Sequence, residues 1–149
     1  MTSPMDIALQ EARAAAARGE VPVGAVVTDA CGTLLARASN RVEEWRDPSA
    51  HAEMLALRAA ARADKHLPEA TLWVTLEPCA MCAQAASLFR VRRVVFAAYD
   101  PKGGGVEHGA RVFAHPQCHH VPEVVGGVRE REAAVLLRDF FAARRQSGP

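Results

Sequence analysis

The segment from residue 71 to residue 98 constrains the fold more than any other part of the sequence. The apolar run TLWVTL predicts a short buried strand, CAMCAQAASLFR predicts a helix, and RRVVFAA predicts a second strand. A strand, a helix and a strand in this order favour two parallel strands with helices packed on the faces of their sheet. We therefore expect a three-layer α/β/α domain.

The residues before this segment add a helix and a hairpin. Ser3 can cap a helix that begins at Pro4 and is stopped by Gly19. VGAVVTD and TLLARASN are apolar runs on either side of the turn-prone residues 29–32, which predicts an antiparallel hairpin. The hairpin should add one antiparallel strand to an otherwise parallel sheet.

Two more helices and two loops complete the pattern. AHAEMLALRAAARA, residues 50–63, is rich in strong helix formers, and Asp47 or Ser49 can cap it. The polar stretch EEWRDPS ahead of it predicts a loop, and DPKGGG predicts a second loop that its glycines make mobile. VREREAAVLLRDFFAARRQ predicts the last helix.

Composition narrows the class of protein. The chain has 149 residues, half of them apolar, which suits one domain and is too short for two ordinary ones. A formal net charge of +1 demands no nucleic-acid partner, although a local basic face remains compatible with one. Acidic residues in the N-terminal stretch argue against a secretory or transit segment. The four cysteines suggest no disulfide framework, so we expect a cytoplasmic protein.

The stretch PCAMC admits three kinds of chemistry. Cys79 and Cys82 can form a redox pair, half of a structural zinc site, or part of a catalytic metal centre. The stretch HAE, residues 51–53, opens the other helix in the middle of the chain and favours the catalytic centre. Together the two stretches complete H-x-E…P-C-x-x-C, a pattern typical of zinc deaminases.

The physical chemistry of these side chains also supports a metal site. Cys79 and Cys82 fall in the first turn of a predicted helix, where the helix dipole and a bound cation both favour thiolates. His51 adds a neutral nitrogen ligand. Two cysteines and one histidine leave a fourth tetrahedral position for water, which is the arrangement of a catalytic zinc.

Glu53 is the candidate proton carrier. In a regular helix the side chains of His51 and Glu53 point about 200° apart, so they converge only at a helix end. We therefore expect the zinc at the N-terminus of that helix, with Glu53 beside the water and able to take its proton.

A closed structural zinc site is the alternative. HPQCHH could supply a fourth ligand from its metal-binding side chains, which are His115, Cys118, His119 and His120. Such a site would leave Glu53 unexplained, and a chain of this size does not need a metal for its core. We expect the histidines of this stretch to be surface or loop residues, and Cys31 to be a turn residue without chemistry.

Several motifs together resemble those of a known family. VPVGAVV, ASNR, DPSAHAE, TLEPCAMC and RRVVF make the chain similar to the cytidine deaminase-like superfamily, and more narrowly to bacterial tRNA-specific adenosine deaminases. The similarity runs from about Met5 to Arg145. It implies a mixed five-stranded sheet with helices on both faces, and a single zinc-dependent deaminase domain over residues 1–149.

The resemblance also implies the reaction. One zinc ion per chain, on His51, Cys79 and Cys82, would activate water to attack C6 of adenine. Glu53 would protonate the ring, and loss of ammonia would give inosine at the wobble position of a tRNA anticodon. The alternatives are a deaminase of a free nucleobase or nucleoside, such as guanine or cytosine, and a binding protein with a structural zinc.

Substrate contacts are implied at residues outside the metal site. Asn40 matches the asparagine with which family members hold the base. Asp100 matches a position beside the ribose, where a contact to the 2′-hydroxyl would favour RNA over DNA. The other expected substrate-binding residues are Ala52, Lys102, Phe141, Arg144 and Arg145.

The last helix fits an RNA-binding role. Arg138, Phe141 and Arg145 form a stripe in which cations could meet phosphates while the ring supports an unstacked nucleotide. The alternative is that Phe140 and Phe141 are core residues beside a solvated arginine face. The resemblance implies a homodimer that binds the anticodon stem-loop of a tRNA, and no membrane.

Overall fold

The architecture is a mixed sheet between helices, seen in a computed structural model that describes residues 2–62 and 64–147. In chain order the elements are α1 (Pro4–Ala17), β1 (Gly24–Thr28), β2 (Leu34–Ser39), α2 (Val42–Trp45), α3 (Ala52–Ala60), β3 (Thr71–Leu76), α4 (Ala80–Leu88), β4 (Arg93–Ala98), a 3₁₀ helix (Val112–Ala114), β5 (Glu123–Val125) and α5 (Glu130–Ser147). None of the helices in the described ranges has the length and hydropathy needed to cross a membrane.

The strands form a five-stranded sheet in the order β2-β1-β3-β4-β5. β1 runs antiparallel to both of its neighbours, whereas β3, β4 and β5 are parallel. The predicted hairpin, the parallel pair and the mixed sheet are therefore confirmed. The sequence pattern did not reveal β5, because its three residues are too few to show an alternation.

Helices cover both faces of the sheet, as predicted for three layers. Side chains of α3 and α4 pack against one face, in a cluster that includes Leu57 and Phe96. Side chains of α1 and α5 pack against the other face, in a cluster that includes Leu9, Val26 and Ala133. Each amphipathic helix thus buries its apolar stripe against strand residues of matching polarity.

α1 lies directly on β1 because Gly24 has no side chain. A Cβ atom at Gly24 would lie 2.0 Å from the carbonyl oxygen of Ala8, so a larger residue would force the helix away. The predicted cap is also present, since the Ser3 hydroxyl accepts a hydrogen bond from the Asp6 N–H. Gly19, with φ at +84°, turns the chain after the helix.

The predicted start of α3 is wrong by a few residues. The N-cap position is held by His51, without a capping hydrogen bond from its side chain. Asp47 and Ser49 bond to each other instead, because the backbone and hydroxyl of Ser49 both donate to the Asp47 carboxylate. The predicted range also reached Ala63, which lies outside the described residues.

The stretch EEWRDPS, predicted as a loop, begins inside the one-turn helix α2. The carboxylate of buried Glu20 accepts hydrogen bonds from the backbone N–H groups of Glu43, at 3.0 Å, and Glu44, at 2.7 Å. These bonds satisfy donors that a short helix leaves open. Glu20 lies more than 20 positions away in sequence, so the local pattern could not indicate the turn.

α5 closes the fold over the end of α1. The Arg144 guanidinium donates a hydrogen bond to the carbonyl oxygen of Gly19 at 3.2 Å, and it lies over the Phe140 ring at 4.9 Å. Phe140 is half-buried, whereas Phe141 is exposed. The alternative that both rings belong to the core is therefore wrong for Phe141.

Candidate metal centre and active site

Two helix N-termini meet beyond the carboxyl end of β3. His51 is the N-cap residue of α3, and Cys79 is the N-cap residue of α4, with Cys82 in the first turn of the same helix. The carboxyl ends of parallel strands are the usual position of a binding site in such sheets. The expected convergence of these three residues at helix ends is present in the structure.

The three side chains form a compact set of metal-binding donors. The Cys79 and Cys82 sulfur atoms lie 3.6 and 3.5 Å from Nδ1 of His51, and all three donor atoms fall within 4.8 Å of one another. With Zn–S near 2.3 Å and Zn–N near 2.1 Å, a tetrahedral site needs a sulfur–nitrogen separation of about 3.6 Å. The donor set therefore fits a zinc ion in spacing as well as in chemistry.

The electrostatics of the thiols also favour a cation. In the absence of a cation, a hydrogen bond from Cys82 lowers the pKa of Cys79 to about 4. Burial opposes this shift, and a hydrogen bond with His51 adds to it. The hydrogen bond between the two thiols, together with burial, raises the pKa of Cys82. The hydrogen bond with Cys79 raises the pKa of His51. A divalent cation would replace the proton that the two thiols share and allow both to ionise.

Glu53 lies beside these donors in the first turn of α3. Its side chain is 4% exposed, and burial raises its pKa to about 7, against the effect of a backbone hydrogen bond. The thiolate of Cys79 raises the pKa further. A carboxyl group with a pKa near neutrality can both accept and donate a proton.

A cavity of about 370 Å³ opens above the donors. His51, Glu53 and Cys79 line it from below. The rest of the wall comes from loops, strand ends, α2, the first residue of α3 and one residue of α5: Glu20, Val21, Val23, Asn40, Val42, Glu43, Ala52, Leu76, Glu77, Asp100, Gly103 and Arg144. A molecule in this cavity would reach the metal donors and Glu53 together.

Asn40 has a buried side-chain oxygen without a hydrogen-bond partner among the described residues. It follows β2, is 9% exposed and lines the cavity. Its Nδ2 donates weakly to the carbonyl of Val21 at 3.4 Å, whereas its Oδ1 is buried and has no hydrogen-bond partner among the described residues. A buried acceptor of this kind costs free energy until a ligand donates to it, which suits a substrate contact.

Glu77 fixes the loop of residues 100–109 against the cavity. It is 2% exposed and lines the cavity wall. Five donors lie 2.8 to 3.2 Å from its carboxylate, namely the backbone N–H groups of Asp100, Val106, Glu107 and His108, and Nδ1 of His108. Burial alone would raise the pKa of Glu77, but these hydrogen bonds together lower it, so the carboxylate stays charged.

The glycines of this loop permit its close packing. A Cβ atom at Gly104 would lie 2.5 Å from the Glu77 carboxyl carbon, and one at Gly105 would lie 2.5 Å from the backbone nitrogen of Ala80. Both distances are too short for a real side chain. The glycine run, predicted to give mobility, instead lets the loop pack on Glu77 and on the start of α4.

The predicted substrate-binding residues divide into two groups. Asn40, Ala52, Asp100 and Arg144 line the cavity. Lys102, Phe141 and Arg145 are exposed and lie outside the cavity lining. The first group can touch a bound base or ribose, whereas the second can reach only parts of a substrate that extend beyond the cavity.

The stretch HPQCHH stands apart from the metal donors. Nε2 of His115 and Nε2 of His120 each lie 2.7 Å from a backbone carbonyl oxygen, and Cys118 is buried against Ser87. His119 is exposed. Among the described residues, the metal-binding group contains three donors and includes none from this stretch, which favours the open site over the closed one.

Two buried carboxylates of the cavity wall, Glu20 and Glu77, were not predicted from the sequence. A signal was present for Glu77, because TLEPCAMC places a charged residue between a buried strand and the metal-binding side chain of Cys79. For Glu20 the only signal was its position after the glycine that ends α1. Neither signal says which backbone groups the carboxylate binds.

Known proteins resemble the chain in sequence and structure. Residues 2–98 match the family model of the cytidine and deoxycytidylate deaminase zinc-binding region. The chain is 51% identical over 144 residues to a tRNA-specific adenosine deaminase of Agrobacterium fabrum, covering 95% of this chain and 93% of that protein. It is 42% identical to a tRNA-specific adenosine deaminase of Aquifex aeolicus, covering 96% and 95% of the two chains.

Solved structures give the same family resemblance. A structure from a study of A-to-I editing by tRNA deaminases at the wobble position of transfer RNA has a TM-score of 0.87 and 50% identity, and the match covers 90% of this chain and 98% of that one. A guanine deaminase from Nitrosomonas europaea has a TM-score of 0.75 and 28% identity, with 93% and 83% covered.

Proposed function

Since the chain belongs to the cytidine and deoxycytidylate deaminase zinc-binding family, and within it to the tRNA-specific adenosine deaminases, we propose that it converts adenosine to inosine at the wobble position of a tRNA anticodon. The observation that carries this proposal is the set of three metal donors beside buried Glu53 at the bottom of a cavity. The reaction is a hydrolysis, in which adenosine and water give inosine and ammonia.

The cofactor is Zn²⁺, for which we propose His51, Cys79 and Cys82 as the ligands. When bound, zinc acts as a Lewis acid that brings the pKa of the attacking water near neutrality. The residues of the chain then have separate tasks. They place the base, carry protons, and keep bulk water away from the reacting carbon.

Glu53 is the proposed proton carrier. Its carboxylate takes a proton from the attacking water and delivers it to the adenine ring nitrogen next to C6. A second transfer through the same group converts the exocyclic amine into ammonia, which leaves. The position of Glu53 beside His51 and Cys79 in the cavity lining supports this assignment.

Asn40 and Asp100 are proposed to place the nucleotide. The unpartnered Oδ1 of Asn40 can accept a hydrogen bond from the base. The carboxylate of Asp100, which accepts a hydrogen bond from the backbone N–H of Gly103, can accept another from a ribose 2′-hydroxyl. Ala52 contributes a small buried wall residue, which leaves room for a flat ring.

Cations around the opening are proposed to bind RNA phosphates. Arg144 lines the cavity, and exposed Arg145 follows it in the last turn of α5. Phe141 offers an exposed ring on the same helix, and Lys102 is exposed on the loop that carries Asp100. Arginine, lysine and aromatic side chains are the usual contacts of unpaired RNA.

We further propose one deaminase domain over residues 1–149, acting as a homodimer in the cytoplasm. The exposed apolar side chains Leu88 and Met81 on α4 support an interface, because a monomer gains nothing from exposing them together. Free thiols at the metal site support a reducing compartment. Sedimentation of the wild type against a Leu88→Asp variant tests the dimer, which the added charge should dissociate.

A free base is the second candidate substrate. The resemblance to a guanine deaminase, and a cavity with room for one purine, favour it. The two candidates share the metal donors and Glu53. They differ in the base that enters the cavity and in whether an RNA strand extends out of it.

Inosine formation in a short RNA hairpin with an adenosine at the wobble position tests the proposal. The matching DNA hairpin and free adenosine, cytosine and guanine serve as controls. We expect inosine in the RNA hairpin and little reaction in the other samples. Turnover of a free base without reaction in RNA would move the protein to nucleobase metabolism, while its zinc chemistry would stand.

A further inference from the structure

Trp45 is the most exposed aromatic side chain in the described part of the chain. Its exposed fraction is 54%, against 40% for both Tyr99 and Phe141. Leaving an indole ring in water forgoes the stabilisation that its burial would give. This cost suggests that something other than folding retains the ring.

The backbone that carries Trp45 is rigidly held. Glu20, itself 1% exposed, accepts hydrogen bonds from the N–H groups of Glu43 and Glu44 within the same turn. The N–H of Trp45 donates to the carbonyl of Arg41 at 2.9 Å. α2 ends at Trp45, and Arg46 follows it as the C-cap residue with φ at +49°. The exposed ring therefore projects from an ordered turn with little conformational entropy left to lose.

This turn lies between two concave surfaces. Val42 and Glu43 line the active-site cavity, and both also line a second cavity of about 750 Å³. The second cavity is completed by residues that flank Trp45 in sequence: Glu44, Arg46, Asp47 and Pro48. Trp45 itself lines neither cavity, but it lies on the same turn as Val42 and Glu43, which line both. A strand that leaves the first cavity over α2 can therefore reach the exposed indole ring.

We propose that Trp45 stacks on the unpaired nucleobase next to the target adenosine. The inference rests on the proposed function, because it needs a polynucleotide substrate. An adenosine that reaches buried Glu53 must leave its stack, so its neighbour in the strand loses a stacking partner. The flat face of an exposed indole restores that partner for any base sequence. Trp45 thereby becomes a residue that selects RNA strands over free bases.

Deamination kinetics of an anticodon hairpin test the stacking. Trp45→Ala should raise KM by about tenfold, since stacking of one base on an aromatic ring is worth about that factor or more. The value of kcat should change much less, because the ring does not contact the reacting atoms. Trp45→Phe keeps an aromatic face and should restore most of the affinity. Val121→Ala removes an equally exposed apolar side chain from outside the active-site lining and should leave KM unchanged.

Hairpins that lack one base identify the stacked nucleotide. An abasic nucleotide immediately 5′ or 3′ of the target should raise the KM of the wild type by the same factor as Trp45→Ala. The same hairpin should cost the Trp45→Ala variant nothing further, because the stacking pair is already broken. Equal abasic penalties in both proteins would overturn the proposal, and so would an unchanged KM in Trp45→Ala.

Tryptophan fluorescence gives a readout that does not depend on turnover. The chain has two tryptophans, so Trp73→Phe leaves Trp45 as the sole reporter. Stacking predicts that the intact hairpin changes this emission and that the correct abasic hairpin does not. If the wild type forms no inosine in the intact hairpin, the proposed function fails as well. If the wild type does form inosine, but Trp45 emission responds equally to the intact and the abasic hairpins, the stacking proposal alone is wrong.

Discussion

The bottom and the opening of the active-site cavity are built in different ways. The bottom consists of His51, Glu53 and Cys79, and Cys82 joins them through its contact with His51; all four lie at the first turns of α3 and α4. We call these four residues the floor. The opening consists of the ends of strands, loops and α5, and includes Asn40, α2, the loop of residues 100–109 and Arg144. We call this second region the rim.

The floor and the rim depend on different kinds of interaction. Floor residues take their positions from two helix starts, which short sequence motifs specify. Rim residues take theirs from tertiary hydrogen bonds, such as those that Glu20 and Glu77 accept across more than 20 positions of sequence. Because deaminases of a tRNA and of guanine share this fold, we infer that the floor sets the chemistry and the rim sets the substrate.

The largest effect is expected from removing one of the proposed zinc ligands in the floor. Cys82→Ser should lose the zinc and lower kcat by more than about 10⁴-fold, because the pKa of water returns from about 7 to its bulk value of about 16. Metal analysis and inosine formation measure both consequences. Cys31→Ser, which changes an exposed cysteine, should keep zinc and activity. One zinc per chain in an active Cys82→Ser variant would contradict the proposed ligand set.

Removing the proposed proton carrier should affect turnover and leave binding intact. Glu53→Gln keeps the size of the side chain and should lower kcat by roughly 10² to 10⁴-fold, the usual contribution of a general acid–base. Zinc content and hairpin affinity should stay near wild type, since neither depends on the carboxylate proton. Full activity in this variant would exclude Glu53 from the mechanism.

Disturbing the support of the rim should produce a smaller and different effect. Glu77→Gln replaces one acceptor oxygen with an NH₂ group that faces backbone donors, so the loop of residues 100–109 should loosen. We expect a loss of roughly 1–3 kcal/mol in the free energy of unfolding. Because Asp100 moves with the loop, KM for the hairpin should also rise.

Chemical denaturation and steady-state kinetics measure the two parts of this prediction. Gly104→Ala should reproduce the rise in KM, since its Cβ would meet the same carboxylate. His108→Asn tests the remaining donor. This variant should change the free energy of unfolding and KM less than Glu77→Gln does, because four backbone donors stay in place. A Glu77→Gln variant with wild-type KM would remove the loop from substrate binding.

The smallest effect is expected at the outer edge of the rim. Arg144→Ala combined with Arg145→Ala should weaken hairpin binding and flatten its salt dependence, by a slope of about 0.7 for each phosphate that the variant no longer neutralises. Titrations at several salt concentrations measure this slope. Arg92→Ala is the matched control, because exposed Arg92 precedes the amino end of β4, whereas the cavity lies at the carboxyl ends of the parallel strands. An unchanged slope in the double variant would place both arginines outside the interface.

The sequence predicted the floor well because its information is local. HAE contains one of the proposed ligands and PCAMC contains the other two, and each motif marks a helix start. Residue type, spacing and position therefore led to the same prediction. The order of strands and helices followed from periodicity for the same reason. The N-cap of α3 was misplaced because Asp47 and Ser49 are good capping residues that instead bond to each other.

The rim was predicted less well because its contacts are distant in sequence. The turn α2 exists because Glu20 satisfies its N–H groups, and no pattern within EEWRDPS shows that partner. The glycines at residues 103–105 predicted mobility, but the loop is packed. The carboxylate that packs against Gly104 comes from the end of another strand, so the glycine run alone does not show it. β5 is only three residues long and gains its pairing from β4.

The shared cluster of α1 and α5 has a consequence for synthesis of the protein. Met5 and Leu9 of α1 pack in one group with Ala133 of α5, and Arg144 bonds to the carbonyl of Gly19. α5 follows every other described element along the chain. The cluster between α1, α5 and the sheet therefore cannot form completely until α5 has been translated. A ribosome-bound nascent chain would therefore contain the floor residues before α5 is available to complete the cavity wall around them. Editing activity should begin only after α5 has emerged from the ribosome.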